Sequence, residues 1–362
     1  MKKIAFFINH LDSFGGIERV TANITKELLK YAEVYIVSII KDDTEEILDW
    51  YPSKAKFIKL DTQYSIHKYY FSNRKKICDV INEYGFDVVI LQHVSAGFYG
   101  KDIKRYTGAK VIACDHGSAF AQTEKRLKKR IILCRVANGC DEFVVLTEKC
   151  KKEYIYKYHI TSEKIHVIPN WINSKYDYKG EYNVNSRKIV SAGRLSEEKR
   201  FDLLIESFGI VHEKHPDWIL DIYGDGEEKN NLVNLIKSKN LENNVILKGK
   251  SDNMMSIYPN YSFYVLTSKS EGLPMVLLEA KQNKLPIVSF DINAGPSDVI
   301  TDGINGLLVK NGDKLELAKS ICRMIDDPKL RGFMSQKTQT DIYKFSKGKV
   351  LKQWLDLLEV VK

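Results

Sequence analysis

Short apolar runs rich in Val, Ile and Phe recur along the chain, each bounded by polar or glycine-containing stretches. In the first half they predict β-strands at 3–8, 34–40, 57–60, 88–91, 111–114, 143–146 and 166–168. Between several of them the apolar positions recur with a helical period, as in 18–31 and 74–84. The alternation lapses after Ile168 into a polar stretch with Gly180 and several Tyr, Asn and Lys residues, which reads as a linker. It then restarts, with strands predicted at 187–193, 218–223, 245–249, 263–268, 286–290 and 302–309 and helices at 200–212, 314–326 and 347–361. Repeated strand–helix units predict an α/β fold with parallel sheets covered on both faces, and such sheets bind ligands at the carboxyl ends of their strands. We therefore expect an N-terminal domain over 1–172, a linker over 173–186, a C-terminal domain over 187–345 and a closing segment over 346–362. A chain of 362 residues is long for one core and comfortable for two.

Composition narrows the class. With 44% hydrophobic and 28% charged residues the chain is neither disordered nor fibrous. The apolar run after Met1-Lys2-Lys3 ends at Asn9-His10 without a small-residue cleavage pattern, so it reads as a first strand rather than a leader. No stretch has the length of a membrane-spanning helix, and we expect a cytoplasmic protein. The six cysteines, 78, 114, 134, 140, 150 and 322, have no zinc-ligand spacing and read as reduced structural thiols.

The net charge of +9 is uneven: residues 1–172 hold 28 Lys+Arg against 21 Asp+Glu (+7), the remainder 28 against 26 (+2). The densest patch runs from Lys125 to Arg135. It is either a solvated helix face or a surface attracted to anionic membranes such as the inner face of the cell membrane. No nucleic-acid-binding motif accompanies it, and no nucleic-acid partner is expected.

Candidate chemistry lies where predicted strands run into helices. After the 263–268 strand comes Glu271-Gly-Leu-Pro-Met-Val-Leu-Leu-Glu279. Pro274 suits a helix start, and the next amides, on Met275, Val276 and Leu277, have no partner inside a helix and point toward an oxygen-rich ligand. Glu279 falls just over two turns below Glu271, so the two carboxylates either hold opposite ends of one extended ligand or are ordinary surface residues. Gly193-Arg194 and Lys199 stand between a strand and a helix, where two cations neutralise neighbouring phosphates or merely face solvent. Gly224-Asp-Gly226 ends the next predicted strand. In the first half, Gly15-Gly16 after the first strand permits close approach to a bulky anion or a simple turn. His116, in Asp115-His116 at the end of the fifth predicted strand, is a ligand-facing imidazole or a structural loop residue.

Taken together, Gly-Gly-x-Glu-Arg at 15–19, Asp-His at 115–116, Gly-Arg-Leu-x-x-x-Lys at 193–199, Gly-x-Gly at 224–226 and Glu-x7-Glu at 271–279 resemble the motifs of family 4 glycosyltransferases. The Gly295-Pro296 turn is similar to that of the amylovoran-type subgroup of bacterial surface polysaccharide enzymes, with Asp298 where many relatives carry Glu. The resemblance implies a GT-B fold, two Rossmann-like doubly wound domains facing across a cleft, with the final helix returning to the first. It implies a retaining transfer of a hexose or N-acetylhexosamine from a nucleotide sugar, UDP foremost, to a glycan or lipid-linked acceptor of a surface polysaccharide such as capsule, exopolysaccharide, O-antigen or teichoic acid.

Carried onto this chain, it makes Arg194 and Lys199 diphosphate ligands, Glu271 with the amides of Met275 and Val276 ligands of the donor sugar, and Glu279 the ribose ligand. Gly15, Gly16 and Gly224 border the donor and His116 lies next to the transferred sugar. It implies no cofactor and no metal, and the chain contains no Asp-x-Asp. A nucleotide-sugar epimerase of the same architecture and a non-catalytic nucleotide-sugar binder are the alternatives.

Overall fold

A computed structural model of the protein describes residues 1–12, 16–44, 47–62, 69–117, 127–172, 182–251 and 253–361. The chain divides into two compact units, Met1–Asn170 with Val350–Lys362, and Trp171–Lys349.

The first unit is built on seven strands: β1 (Lys3–Ile8), β2 (Glu33–Ile40), β3 (Lys56–Thr62), β4 (Val88–Leu91), β5 (Lys110–Asp115), β6 (Glu142–Val145) and β7 (Ile165–Val167). Their spatial order is β3-β2-β1-β4-β5-β6-β7, every pair parallel. β1 and β4 are buried almost throughout, which explains their unbroken apolar sequence: a strand covered on both faces has no polar side to show. The direction of winding reverses between β1 and β4, the place in an open parallel sheet where ligands generally bind. The last helix, Lys347–Leu358, ends before the expected position 361, where Glu359 turns left-handed (φ 52°). It is fastened to this unit by the Lys2 ammonium donating to Leu358 O (3.0 Å) and by Gln353 Nε2 donating to Val167 O (3.1 Å).

The second unit carries β8 (Lys188–Ala192), β9 (Ile219–Tyr223), β10 (Val245–Gly249), β11 (Phe263–Leu266), β12 (Ile287–Asp291) and β13 (Gly306–Lys310). The order is β10-β9-β8-β11-β12-β13, again all parallel, with its reversal between β8 and β11. Its core joins Phe201, Leu204 and Phe208 of the helix Phe201–His212 to Leu220, Ile222, Phe263 and Phe290 of the sheet and Ile321 and Met324 of the helix Lys314–Asp326.

Segments 182–186, expected as linker, are bound to this second unit: Ser186 Oγ donates to Asn260 O (2.7 Å) and Arg331 donates to Val184 O (2.8 Å). The rest of the expected linker, 173–181, lies outside the described residues. The entering and leaving chains run side by side, with Ile172 N donating to Phe345 O at 2.9 Å.

No described helix is long and apolar enough to cross a membrane, and the six cysteines are free thiols. In the basic stretch, Lys125 lies outside the described residues. Arg135, at its other end, is turned inward: its guanidinium donates to Tyr70 OH (2.6 Å) and Asp102 (3.1 Å) and lies 4.5 Å from the centre of the Phe98 ring. A cation held this way is not part of a free surface patch.

Candidate active site

At the carboxyl edge of the second sheet, the loops leaving β8 and β11 flank the reversal and bring two of the expected residues together. Lys199 Nζ donates to Glu271 Oε1 at 2.5 Å, the two side chains only 23% and 14% exposed. The loop is held in place from below: Thr267 Oγ1 donates to Lys199 O (2.9 Å) and Lys269 N to Glu198 O (2.8 Å). Arg200 follows in the left-handed region (φ 49°), an unusual conformation for a branched-free but bulky residue, and donates through Nε to Thr267 O (3.3 Å). Arg194 stands apart from that pair, 73% exposed, with Nε 3.3 Å from Glu227.

Gly224 has a steric reason to be glycine. At φ 141° a Cβ there would overlap Gly193 O, and a Cβ at Gly226 would overlap Leu195 O. The two loops run that close because Gly193 N donates to Tyr223 O (3.0 Å) and Leu195 N to Asp225 O (3.0 Å). The Gly-x-Gly spacing thus packs the Arg194 loop against the end of β9.

The helix Met275–Gln282 starts directly after Pro274, as the sequence predicts. Leu277 N donates to Pro274 O (3.0 Å), so of the three amides expected to be open, that of Leu277 is already spent within the first turn; Met275 and Val276 are the two at the tip. Glu279 accepts a hydrogen bond from Tyr258 OH (3.1 Å). Burial, with the Glu279 carboxylate beside it, raises the Tyr258 phenol well above its ordinary range, so it stays a donor. The helix is anchored by Lys281, fully buried, whose ammonium donates to Val299 O (2.8 Å) and Asp341 (2.5 Å). Burial lowers the Lys281 pKa and Asp341 opposes that shift. Gly295 (φ 97°) closes against this turn, and Asp298 accepts from Gly295 N at 3.0 Å, which a carboxylate of this length suits.

The first unit presents a different set. His116 follows β5 and its Nε2 lies 2.5 Å from Oε1 of Gln92, the residue after β4. Burial, and then the neighbouring His93, push the His116 pKa down to about 3, so the ring is neutral at physiological pH. Asp115 is tied off: its carboxylate accepts from Tyr154 OH (2.7 Å) and Gly117 N (2.9 Å), and burial raises its pKa against those two bonds. It shapes the turn that carries His116. Glu18, in the first turn of the helix Gly16–Leu28, is buried and lies 3.5 Å from His93 Nε2, linking the Gly-Gly loop to the end of β4. Gly15 lies outside the described residues; Gly16 opens the helix with space around its Cα, so no crowding there demands glycine. His10, Asp12 and Asp42 bring ligand atoms within 4.8 Å of one another. Their carboxylates already accept from the amides of Leu11, Asp43 and Thr44, and the Lys59 ammonium is 3.7 Å from Asp42, an arrangement that serves the loop.

Two family profiles cover nearly all of the chain: that described as Glycosyltransferase Family 4 matches residues 14–176 and that described as Glycosyl transferases group 1 matches residues 174–341. An uncharacterised glycosyltransferase of Haemophilus influenzae is 30% identical over 359 residues, 99% of this chain and 100% of that one. The chain is a family 4 glycosyltransferase. The amylovoran biosynthesis glycosyltransferase AmsD of Erwinia amylovora is 28% identical over 257 residues, 69% of this chain and 70% of its own. Among solved structures, Anabaena HepE in complex with UDP superposes with a TM-score of 0.84 at 17% identity, covering 100% of both chains, and shares the GT-B fold.

For a glycosyltransferase of this family, sequence motifs locate Arg194, Lys199, Glu271 and Glu279 on the carboxyl edge of one sheet and His116 on that of the other. What motif reading misses are the partners: Gln92 and His93 in the first unit, Tyr258, Lys281 and Asp341 in the second; Glu18 lies inside the Gly-Gly-x-Glu-Arg motif, but its pairing with His93 does not show in the sequence. The Gln92-His93 pair directly after an apolar strand was the one signal available.

Proposed function

We propose that this glycosyltransferase moves a hexose or N-acetylhexosamine, with retention, from a UDP-sugar to a glycan or lipid-linked acceptor in the assembly of a bacterial surface polysaccharide, on the cytoplasmic side of the membrane and without a metal. The observation that carries the reading is the half-buried Lys199–Glu271 pair at the reversal point of the second sheet, with Arg194 in the same loop system. Charge separation drives the assignment of roles. As the bond from the sugar's anomeric carbon to the diphosphate breaks, negative charge gathers on the diphosphate, and Lys199 and Arg194 stabilise it. Glu271 and the amides of Met275 and Val276 hold sugar hydroxyls, Glu279 holds the ribose, and Gly15, Gly16 and Gly224 border the donor. The acceptor oxygen attacks on the face the diphosphate leaves, and its proton passes to a leaving phosphate oxygen. His116 positions the sugar.

The donor identity is supported by the UDP bound in HepE and the acceptor class by the name of AmsD. The first unit's positive balance supports contact with an anionic membrane. Its described surface offers Phe71, 72% exposed, and Tyr106, 47% exposed, with the Arg74 guanidinium 5.3 Å and 5.1 Å from the two ring centres. Co-sedimentation with vesicles containing anionic lipid, weakened by Phe71→Ser, is the expected behaviour; equal partition to zwitterionic vesicles contradicts it.

The decisive assay incubates purified protein with each of a set of UDP-, GDP-, ADP- and TDP-sugars, with and without EDTA. Slow donor hydrolysis from one UDP-sugar, insensitive to EDTA, is expected. Conversion of the donor into an isomeric sugar nucleotide without any acceptor would establish an epimerase instead, and binding without turnover in the presence of polysaccharide acceptors a sensor.

A further inference from the structure

The hydrogen bond between Gln92 and His116 fixes more than a distance. Gln92 turns its carboxamide oxygen to the ring, 2.5 Å from His116 Nε2, and in that orientation the imidazole is the donor. A neutral imidazole carries one proton, so a donating Nε2 leaves Nδ1 as a bare lone pair. That Nδ1 is out of solvent and has no hydrogen-bond partner among the described residues. Buried acceptors left this way are uncommon in folded proteins and point to a partner that arrives with a ligand.

Gln92 is well placed to act as the fixed element. It is fully buried, its backbone amide donates to Phe7 O (3.0 Å) as the sheet continues past β4, and it lies at the reversal between β1 and β4; its Nε2, like His116 Nδ1, is out of solvent with no hydrogen-bond partner among the described residues. Its side chain reaches sideways to the loop leaving β5, the neighbouring strand. The other polar groups nearby do not compete for His116. Asp115 is committed to Tyr154 and Gly117, and Glu18 faces His93.

We propose that Gln92 is a positioning residue for His116, holding the imidazole in its Nε2–H form so that Nδ1 accepts a hydrogen bond from a sugar hydroxyl. The inference rests on the reading of His116 as a sugar-positioning residue given above, and it makes that residue an acceptor rather than a donor or proton shuttle. Loss of the carboxamide lets the ring take either tautomer and either face, so that Nδ1 is aimed correctly only part of the time.

The test is nitrogen NMR of the full-length protein labelled with 15N-histidine, with His116→Gln used to assign the signal, combined with steady-state kinetics on the donor found in the panel above. Wild-type His116 is expected to show a protonated Nε2 and an unprotonated Nδ1. Gln92→Met, which keeps the volume and removes the acceptor, is expected to give mixed tautomers and to lower kcat/KM about tenfold, the weight of one neutral hydrogen bond. Gln92→Glu, whose carboxylate also accepts from Nε2–H but favours the imidazolium, is expected to keep Nε2 protonated, to protonate Nδ1 as well and so not to restore kcat/KM. A wild-type ring protonated on Nδ1 overturns the proposal, as does Gln92→Met with an unchanged tautomer and unchanged kcat/KM. Should Gln92→Met not fold, the wild-type tautomer alone decides. An Nε2–H ring in a protein that turns over no nucleotide sugar contradicts the functional reading and leaves the Gln92 contact intact.

Discussion

The two units share one topology and differ in what they place at the carboxyl ends of their strands. In the second, the reversal point carries opposite charges: Lys199 against Glu271, Arg194 against Glu227, Glu279 under a tyrosine hydroxyl. In the first, the groups gathered around His116 are uncharged or already tied off, with the buried Glu18 set against His93. His116 is uncharged, Gln92 carries no charge, and the buried Asp115 is spent on its own turn. In the proposed roles, an edge that carries cations suits a diphosphate, whereas one with uncharged donors and acceptors suits sugar hydroxyls. The same scaffold therefore supports two kinds of recognition, and the difference lies in a few side chains at the strand ends.

The most damaging way to disturb the charged edge is to remove its cation. Lys199→Ala is expected to lower kcat by about 10²- to 10³-fold, the range seen when one group stabilising developing negative charge is deleted. Glu271→Ala falls in the same range, and the double variant should lose less than the product of the two, because each removes the other's partner. Wild-type turnover in Lys199→Ala contradicts the assignment. Next in size is a purely steric break: Gly224→Ala places a methyl group against Gly193 O and is expected to cost about 2–4 kcal/mol in urea unfolding, with loss of donor binding.

The groups around His116 respond to pH instead. Because the His116 pKa is lowered to about 3, the unfolded chain binds more protons than the folded one between that value and the ordinary histidine range near 6.5. Its contribution to stability is complete above about pH 6.5 and declines as the pH falls toward 3. The urea midpoint should drop from pH 7 to pH 5 by more in the wild type than in His116→Gln; parallel drops contradict an imidazole held neutral in the folded protein. The smallest effect belongs to the exposed pair, where Glu227→Gln should change stability by less than about 0.5 kcal/mol, since Arg194 and Glu227 are largely in solvent.

The residues of the charged edge were legible because they sit at fixed spacings within single strand-to-helix turns: Arg194 with Lys199, and Glu271 with Pro274 and Glu279. So were the strands, since β1 and β4 are covered on both faces and their apolar runs are unbroken. What a linear reading could not supply are contacts made between loops. Gln92 and His116 are 24 positions apart, and Lys281 and Asp341 are 60. A buried lysine inside a helix looks in sequence like any solvated one, and an Asp beside a His looks like a second ligand until Tyr154 is seen to hold it. The inward turn of Arg135 was hidden for the same reason, because the aromatic rings and carboxylate that hold it come from elements 65, 37 and 33 residues away.

The proposed donor site of the second unit is the centre of this reading. The direct measurement is a thermal-shift titration of the wild type, Lys199→Ala and Glu279→Gln with UDP and UDP-sugars, in the presence and absence of EDTA. The account predicts a rise in Tm for the wild type with UDP-sugars, unaltered by EDTA, and a reduced rise in both variants. No shift at millimolar nucleotide, or a shift that EDTA abolishes, would contradict it.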